Sequence, residues 1–277
     1  MSDDKLLNIA LDSAKKAGVE VMKYYRDKSF TAEVKADESP VTNADIAAND
    51  ILMDQLKTLT PNIPIISEEV GTVALAQREK WDKYWLLDPI DGTGEYIIGS
   101  GDFAVNIALV ENGWPSIGVI HAPDHHLTYF AQDKLGAFKD CNLQNNSSHQ
   151  IHVAPYQEQR RIKIAISRRQ QLNLMGQYLN NDNDFDFDYV ALGSCSLKNC
   201  LIAEGGADCY LRIGVTGEWD TGASQCILEQ AGGTIIDSEF NPLTYNKRES
   251  LLNPDFLSLG NPNIPWQDII KAHRQVY

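Results

Sequence analysis

The acidic residues that follow apolar segments are the part of this sequence best suited to chemistry. Residues 86–94, LLDPIDGTG, place Asp88 and Asp91 three positions apart, directly after an apolar run. Proline fixes φ between the two carboxylates, and the glycines free the backbone that follows. Such a loop can present Asp88, the Ile90 carbonyl and Asp91 to one centre as the hard oxygen ligands that Mg²⁺ requires. The simpler interpretation is a strand-end turn, because Asp-Pro and Asp-Gly are common turn dipeptides.

The backbone after Asp91 is suited to binding an anion. Gly92, Thr93 and Gly94 stand at a turn or a helix start, where free amide groups can cradle a phosphate. A phosphate held beside divalent cations is the arrangement that metal-assisted phosphoryl hydrolysis requires.

Further acids stand at the ends or starts of other predicted elements. Glu68, followed by Glu69, comes directly after a short apolar run, and Asp220 opens a predicted helix. Each has an ordinary explanation, a solvated acidic turn for the glutamates and an N-cap for Asp220. Asp45 lies three residues after Thr42, which is the spacing of a capping box. Taken singly, these acids do not prove a metal site.

Helices and strands must position these residues. Apolar side chains at three- and four-residue steps predict an amphipathic helix over residues 4–26, and a second helix is predicted over residues 42–59. Asn112-Gly113 joins two apolar runs and predicts a β-hairpin. The predicted strands cover residues 63–66, 84–87, 103–110, 115–123, 128–132, 136–139, 162–167 and 208–213, and the remaining predicted helices cover residues 169–179, 194–203 and 220–231.

These elements mix without the strict alternation of a parallel βαβ protein. The sequence therefore predicts an α+β chain with helices layered on sheets. The polar stretch 141–159 is the best boundary between two tightly joined halves, residues 1–155 and residues 156–277. The first half contains most of the candidate metal ligands, and the second contains Asp220. The acidic run 182–188 is interpreted as a solvated loop.

Composition limits the partners of the chain. Its 277 residues include 24 Lys and Arg against 38 Asp and Glu, a formal net charge of −14. Such a surface repels a polyphosphate backbone, so nucleic-acid polymers are not expected partners. A small anionic substrate is compatible with this charge if carboxylates hold cations that reverse the local field.

The N-terminus and the cysteines predict a cytoplasmic protein. The chain opens with acids rather than a basic n-region, and its apolar runs are too short to span a bilayer. We therefore expect no integral membrane association, and any contact with the inner membrane to be peripheral, on its cytoplasmic face. The five cysteines form no CxxC pair, so neither a zinc site nor a disulfide framework is expected.

In their order along the chain, the motifs resemble those of the lithium-sensitive, magnesium-dependent inositol monophosphatase superfamily. The matching residues are the Glu-Glu pair at 68–69, DPIDGT at 88–93 and WDTGA at 219–223. The resemblance runs from the first helix to nearly the C-terminus. It implies the layered α-β-α-β-α sandwich of the inositol monophosphatase and sugar phosphatase type.

Within the superfamily, the chain is most similar to the 3′(2′),5′-bisphosphate nucleotidases of the CysQ type. The residues that carry this likeness are KADESPVTNAD at 35–45, SLK at 196–198, YLR at 210–212 and RESLLNP at 248–254. The likeness implies hydrolysis of the 3′-phosphate of adenosine 3′,5′-bisphosphate to AMP, action on the sulfated form, and a role in sulfur metabolism. The alternative is an inositol monophosphatase or another small sugar-phosphate phosphatase.

The resemblance also implies roles for individual residues. Metal ligands would be Glu68, Asp88 and the Ile90 carbonyl for one Mg²⁺ ion and Asp88, Asp91 and Asp220 for a second, with a third, weaker ion held through waters. Asp45 and Thr93 would orient the attacking water, with Glu68 counted among the catalytic residues. Substrate contacts would come from Gly92, Thr93, Gly94, Ser194, Lys198, Arg212 and Asp220. The expected partner is a small nucleotide bisphosphate, and we expect a monomer rather than a dimer.

Two positions depart from the nucleotidase pattern. Gly94 stands where these enzymes usually have Lys, which removes a cation from the phosphate site and keeps the sugar-phosphate alternative open. Lys198 and Arg212 speak against that alternative. Cys195 stands where Ser is common, and we interpret it as a neutral lining residue rather than a nucleophile.

A hypothesis from another class is a catalytically silent binding protein that keeps the fold. Such a protein would be expected to have lost one of its site residues. The five that matter, Glu68, Asp88, Asp91, Thr93 and Asp220, are all present. The histidines at 121, 125 and 126 are interpreted as loop residues rather than as a metal cluster.

Overall fold

The structure is a computed structural model that describes residues 1–35, 39–71, 73–141, 148–156, 161–168, 172–180 and 185–271, with the side chains of 172–174 left out. Three predicted features extend beyond these ranges. The start of the predicted helix 169–179, parts of the polar stretch 141–159 and the first part of the acidic run 182–188 lie outside the described residues.

The described residues form eight helices and fourteen strands. The helices are α1 (Asp3–Asp27), α2 (Asn43–Leu59), α3 (Leu75–Arg78), α4 (Thr93–Ile98), α5 (Leu172–Tyr178), α6 (Cys195–Ala203), α7 (Glu218–Gln230) and α8 (Trp266–Ile269). The strands are β1 (Ala32–Val34), β2 (Pro40–Thr42), β3 (Ile65–Ser67), β4 (Lys83–Asp91), β5 (Ala104–Glu111), β6 (Trp114–Ala122), β7 (Leu127–Gln132), β8 (Gly136–Cys141), β9 (Ser148–Ile151), β10 (Arg161–Ile166), β11 (Asp186–Ala191), β12 (Cys209–Arg212), β13 (Thr234–Asp237) and β14 (Phe256–Leu259).

Two large sheets organise the chain. The first has seven strands in sequence order from β3 to β9; β3 pairs parallel to β4 and the other neighbours are antiparallel. The second has five strands in the order β11-β10-β12-β14-β13, parallel on the β11 side and antiparallel on the β13 side. β1 and β2 form a separate two-stranded ribbon.

Three apolar cores hold five layers together. One core lies between helices α1 and α2 and one face of the first sheet. A second core lies between the two sheets and contains the buried faces of α6 and α7. A third packs α5 and α8 on the outer face of the second sheet. The predicted α-β-α-β-α sandwich is therefore confirmed.

Strand β4 extends further than the sequence indicates. Tyr84 and Leu86 face the middle core while Trp85 and Leu87 face α1 and α2, so the alternation places Asp88 on the side of α6 and α7. The strand was predicted to end at Leu87, and this prediction is wrong. The strand continues to Asp91 with a register shift against β5, because Asp88 and Asp91 still pair with that strand. Residues three apart face opposite sides of a regular strand, so this irregularity brings both carboxylates to one side.

Other expectations need correction. Residues 186–191 form strand β11 at the edge of the second sheet, so the acidic run is not wholly a loop. His121 is not a loop histidine, because it lies in β6 and is buried. The stretch 141–159 contains β9, which extends the first sheet. The division after residue 155 stays a prediction. Helix α7 from the second half packs on strands of the first sheet.

Two further findings concern the surface and the thiols. None of the helices in the described ranges is both long enough and apolar enough to cross a membrane. All five cysteines are free thiols, four of them buried.

The buried His121 makes folding stability depend on pH. Its Nδ1 lies 3.0 Å from Thr128 Oγ1, and a Cβ on Gly18 of α1 would approach its ring to 2.5 Å. Burial, with the nearby positive charge of Lys15, lowers the pKa of His121 to about 4. In the unfolded chain His121 binds a proton near pH ~6.5, whereas in the folded chain it stays neutral down to about pH 4. The contribution of neutral His121 to the free energy of unfolding is therefore lost as the pH falls from ~6.5 to 4.

We therefore expect His121→Asn, which keeps a polar partner for Thr128 but cannot titrate, to flatten the acid limb of stability. Between pH 7 and 4 the wild type should lose up to about 3 kcal/mol relative to the variant. Urea unfolding of both proteins at pH 7, 6, 5 and 4 measures this difference, and other titrating groups cancel in the comparison. Parallel curves for the two proteins would contradict the assignment.

Candidate active site

Three carboxylates from two elements meet at the end of β4. Asp88 and Asp91 flank the irregularity of that strand, and Asp220 comes from the first turn of α7. One ligand oxygen of each lies within 4.8 Å of the others. The sequence placed the three at one centre although Asp220 is 129 positions beyond Asp91.

The electrostatics of this cluster indicate a cation site. Burial and the negative charges of Glu68 and Asp91 raise the pKa of Asp88 well above its ordinary value. Burial and the charge of Asp91 raise the pKa of Asp220 in the same way. Asp88 Oδ2 is buried without a hydrogen-bond partner among the described residues. Unpaired buried carboxylates are costly, and divalent cations remove that cost with the oxygen ligands they prefer.

Asp91 is fixed by the start of α6. Its carboxylate accepts hydrogen bonds from Ser194 Oγ at 2.5 Å, from Ser196 N at 2.7 Å and Ser196 Oγ at 2.5 Å, and from Cys195 N at 3.2 Å. Ser194 also caps α6 by accepting from Leu197 N. The predicted substrate residue Ser194 is therefore engaged by Asp91, although it also lines the cavity described below.

The two carboxylate oxygens of Asp220 are in different environments. Its Oδ2 accepts from the amide of Gly217, the N-cap of α7, at 2.6 Å. Asp220 is therefore not itself the N-cap, but it caps the helix from the first turn. This bond leaves Oδ1 for another ligand.

Glu68 lies beside this cluster and is neutralised by a lysine. Its amide donates to the Leu87 carbonyl at 3.1 Å, which places it next to the end of β4. Lys35, which follows strand β1, lies 2.9 Å from Glu68 and 2.7 Å from Glu69. The ammonium occupies a position where positive charge is favoured.

Asp45 and Thr93 are linked by hydrogen bonding. Asp45 Oδ2 accepts from Thr42 N and Oγ1 in the capping box of α2, and its Oδ1 lies 3.2 Å from Thr93 Oγ1. The same hydroxyl lies 3.1 Å from the Ile90 carbonyl. Because it has one proton, the Thr93 hydroxyl can donate to only one of these acceptors at a time.

The backbone at Gly92 packs closely against the backbone at Asp102. Gly92 has φ +93°, and a Cβ there would lie 2.9 Å from the Asp102 carbonyl, so glycine is required. Glu95 N donates to the Gly92 carbonyl as the first bond of α4. The amides of Thr93 and Gly94 thus precede the ladder of this short helix.

Lys198 and Arg212 line the same cavity as Asp91 and Asp220. Lys198 is buried, and its ammonium donates to the carbonyls of Leu192, Gly193 and Ser194. Burial lowers its pKa. Arg212 donates to the Val215 carbonyl at 2.9 Å. The Lys198 ammonium therefore supports the loop before α6, and Arg212 is the more open of the two cations.

A cavity of about 400 Å³ joins these groups. Both acids and apolar side chains line it. The acids are Glu68, Asp91, Glu95 and Asp220, and the apolar side chains include Tyr210, Val215, Trp219 and Leu252. Val215 is 73% and Leu252 47% exposed, so apolar surface faces the opening of the cavity. Cys195 also lines it as a neutral thiol, because burial raises its pKa.

Sequence reasoning missed Asp102, which joins both halves beside the cavity. Its carboxylate accepts from Gly193 N at 2.9 Å, from His125 Nε2 at 3.0 Å and from Arg168. It also missed the pairing of Lys35 with Glu68, although Lys35 opens the quoted motif 35–45. For Asp102 the sequence offers no signal beyond an ordinary glycine-flanked turn.

Known proteins match this chain over most of its length. A model of the inositol monophosphatase family matches residues 2–265. The chain is 38% identical over 268 residues to the 3′(2′),5′-bisphosphate nucleotidase CysQ of Aggregatibacter actinomycetemcomitans, covering 97% of each protein. It is 39% identical over 252 residues to the protein of that name from Escherichia coli strain K12, covering 91% of this chain and 98% of the other.

Solved structures show the same fold. CysQ from Bacteroides thetaiotaomicron, a bacterial member of the inositol monophosphatase family, matches with a TM-score of 0.78 and 33% identity over 94% of this chain and 98% of its own. An IMPase from Thermotoga maritima matches with a TM-score of 0.74 and 23% identity over 92% of both chains. The second likeness shows the fold alone.

Proposed function

This chain belongs to the inositol monophosphatase family, and from that premise we propose that it is a metal-dependent 3′(2′),5′-bisphosphate nucleotidase. It hydrolyses the 3′-phosphate of adenosine 3′,5′-bisphosphate to give AMP and phosphate. The sulfated form of the nucleotide is a second substrate. The observation that carries the proposal is one cavity whose lining combines carboxylates, Arg212 and apolar side chains.

The cavity favours a nucleotide over a bare sugar phosphate. A nucleoside presents an apolar, flat base, and side chains such as Trp219 and Leu252 offer a surface for it. A substrate with two phosphates also needs a cation besides the bound metal ions, and Arg212 supplies one. An inositol phosphate would leave both features without a partner.

The family is metal-dependent, and the acidic cluster of this chain fits that dependence. We propose Mg²⁺, with Glu68, Asp88 and the Ile90 carbonyl holding one ion and Asp88, Asp91 and Asp220 holding a second. A third, weaker ion is held through waters. When bound, these cations would supply acidification of the attacking water and neutralisation of charge on the leaving oxygen.

Thr93 and Asp45 orient the water that attacks phosphorus. With the Ile90 carbonyl reserved for a metal ion, the Thr93 hydroxyl would donate its hydrogen bond to Asp45 Oδ1. The Thr93 oxygen then accepts a hydrogen bond from the water and directs its lone pair towards the phosphate. Glu68 acts with them as a ligand close to this water.

The substrate is held by backbone amides and cations. The amides of Gly92, Thr93 and Gly94 bind oxygens of the phosphate that is removed. Arg212 meets the remaining phosphate, and Lys198 and Ser194 contribute at the loop before α6. Asp220 contacts the substrate as well as a cation. Because Gly94 stands in place of a lysine, the charge of the substrate phosphates would be balanced by the metal ions and Arg212.

We propose a monomer located in the cytoplasm. Five free thiols fit a reducing compartment. Its partner is the small nucleotide and no nucleic-acid polymer, and any contact with the inner membrane is peripheral.

The test is phosphate release from adenosine 3′,5′-bisphosphate with Mg²⁺, repeated with EDTA, with Li⁺, and with inositol 1-phosphate as the competing substrate. We expect fast release that EDTA abolishes and Li⁺ inhibits, and a higher kcat/KM for the nucleotide. A higher kcat/KM for inositol 1-phosphate would keep the metal site and overturn the nucleotidase assignment. If neither substrate released phosphate, the result would favour the alternative hypothesis of a binding protein that keeps the fold but has no catalytic activity.

A further inference from the structure

Residues 246–253, which we call the strap, cross the start of α7. Glu218 N donates to the Leu251 carbonyl and Asn253 N donates to the Thr216 carbonyl, both at 2.8 Å. Leu252 pairs with Gly217 as an antiparallel bridge. The strap therefore lies against the turn that presents Asp220.

Asn253 makes the most direct contact of the strap with that turn. Its side chain is buried, and Nδ2 donates to the Gly217 carbonyl at 2.6 Å and lies 3.1 Å from Thr221 Oγ1. The amide of the same Gly217 donates to Asp220 Oδ2 at 2.6 Å. Gly217 is thus held at its carbonyl by Asn253 and at its amide by the Asp220 carboxylate.

The turn has little freedom to adopt another arrangement while these bonds are intact. A Cβ on Gly217 would lie 2.3 Å from the ring of Trp219, so the indole packs directly on this residue. Without the Asn253 donor, the Gly217 carbonyl is left buried with a weaker set of partners, and rotation of that residue would move the amide that fixes Asp220 Oδ2.

The strap itself is anchored to the other half of the molecule. Arg78 at the end of α3 is fully buried, and its guanidinium donates to Asn246 Oδ1 at 2.6 Å and to the carbonyls of Arg248 at 2.6 Å and Glu249 at 2.5 Å. Asn253 therefore acts from a fixed support rather than from a free loop.

We propose that Asn253 is a positioning residue that fixes the Asp220 carboxylate for cation binding by holding the Gly217 residue. This rests on the proposed function, because it takes Asp220 as a metal ligand. Residues that orient a ligand from outside typically change metal affinity by about 10- to 100-fold when they are replaced. A residue that only stabilised the fold would leave that affinity unchanged.

The experiment is a titration of the substrate-free protein with Mn²⁺, with free Mn²⁺ followed by electron paramagnetic resonance. The variants are Asn253→Ala, Asp220→Asn and Asn246→Ala. Asn246 is a matched control: it lies on the same strap with similar burial, 6% against 7% exposed, but its side chain contacts Arg78. Melting temperatures of all variants give the structural effect separately.

We expect Asn253→Ala to weaken, by about tenfold, the class of sites that Asp220→Asn also weakens. Asn246→Ala should lower the melting temperature and leave Mn²⁺ affinity within about twofold. Its side chain does not reach the turn, and Arg78 still holds the strap through the carbonyls of Arg248 and Glu249. In activity assays, raised Mg²⁺ should restore Asn253→Ala and leave Asp220→Asn deficient.

The two ideas fail differently. If Asp220→Asn weakens Mn²⁺ binding and Asn253→Ala does not, the positioning role is overturned and the metal role of Asp220 survives. If Asp220→Asn binds Mn²⁺ like the wild type, the metal role fails and the positioning role falls with it. Should Asn253→Ala not fold, Asn253→Ser leaves a smaller void and still cannot reach the Gly217 carbonyl, so the same comparison applies.

Discussion

Replacing Asp88 by asparagine lowers phosphate release by about three orders of magnitude or more, while the metal-free protein becomes at least as stable as the wild type. Both effects have one cause. Asp88 belongs to both proposed ion sites, so an uncharged amide removes a ligand from each. In the metal-free wild type, Asp88 is a buried acid close to other acids, and one of its oxygens lacks a hydrogen-bond partner among the described residues.

The sign of the stability change follows from the pKa. The folded protein raises the pKa of Asp88, so the folded state holds its proton more tightly than the unfolded chain does. The stability from this group is present below the ordinary pKa near ~3.9 and is lost as the pH rises above it. At pH 7 an asparagine escapes this penalty, because it never ionises.

Two measurements check this prediction. Steady-state phosphate release gives the activity, and urea unfolding with and without Mg²⁺ gives the two stabilities. Mg²⁺ should stabilise the wild type and have little effect on Asp88→Asn. Asp140→Asn is the control, since Asp140 is buried to a similar degree but pairs with Lys15 away from the site. An active Asp88→Asn enzyme would show that the acidic cluster is not the metal centre.

Replacing Thr93 by valine lowers kcat by about 10²- to 10⁴-fold and changes KM and metal affinity little. Valine keeps the shape of threonine but has no hydroxyl, so the water loses its hydrogen-bond acceptor. The Asp45 carboxylate meanwhile keeps its two bonds from Thr42. The loss therefore concerns orientation of the water rather than assembly of the site.

Thr93→Ser is the matched variant, because it restores the hydroxyl and removes only a methyl group. We expect it to retain most of the wild-type kcat. Initial rates at saturating Mg²⁺, together with Mn²⁺ titration of each variant, separate the two effects. Equal losses in valine and serine variants would assign Thr93 a packing role, and weakened Mn²⁺ binding in the valine variant would assign it to ligand geometry.

Local signals account for what the sequence predicted well. The hairpin at Asn112-Gly113 follows from two residues with positive φ, 54° and 88°, which these residue types accept. Helix α2 begins at the capping box of Thr42 and Asp45, whose spacing is visible in the sequence. The ordered motifs likewise identified the three acids that the fold brings together.

Contacts between distant segments were not predictable in the same way. The end of β4 was placed too early, because its last residues are held by pairing with β5 rather than by their own propensity. The four bonds to Asp91 come from residues more than one hundred positions away. The contact of Asn253 with Gly217 is also tertiary, and an asparagine before a proline reads locally as a turn.

The bonds from α6 to Asp91 also set an order of events during synthesis. Asp88 and Asp91 leave the ribosome long before Ser194, Ser196 and Asp220, and N-terminal segments begin to fold first. Until α6 and α7 arrive, the first sheet lacks both the donors that hold Asp91 and the third carboxylate. The nascent chain therefore gains its hydrolytic centre only after α6 and α7 have been synthesised, and a chain cut short before α7 lacks Asp220 however well its first sheet has folded.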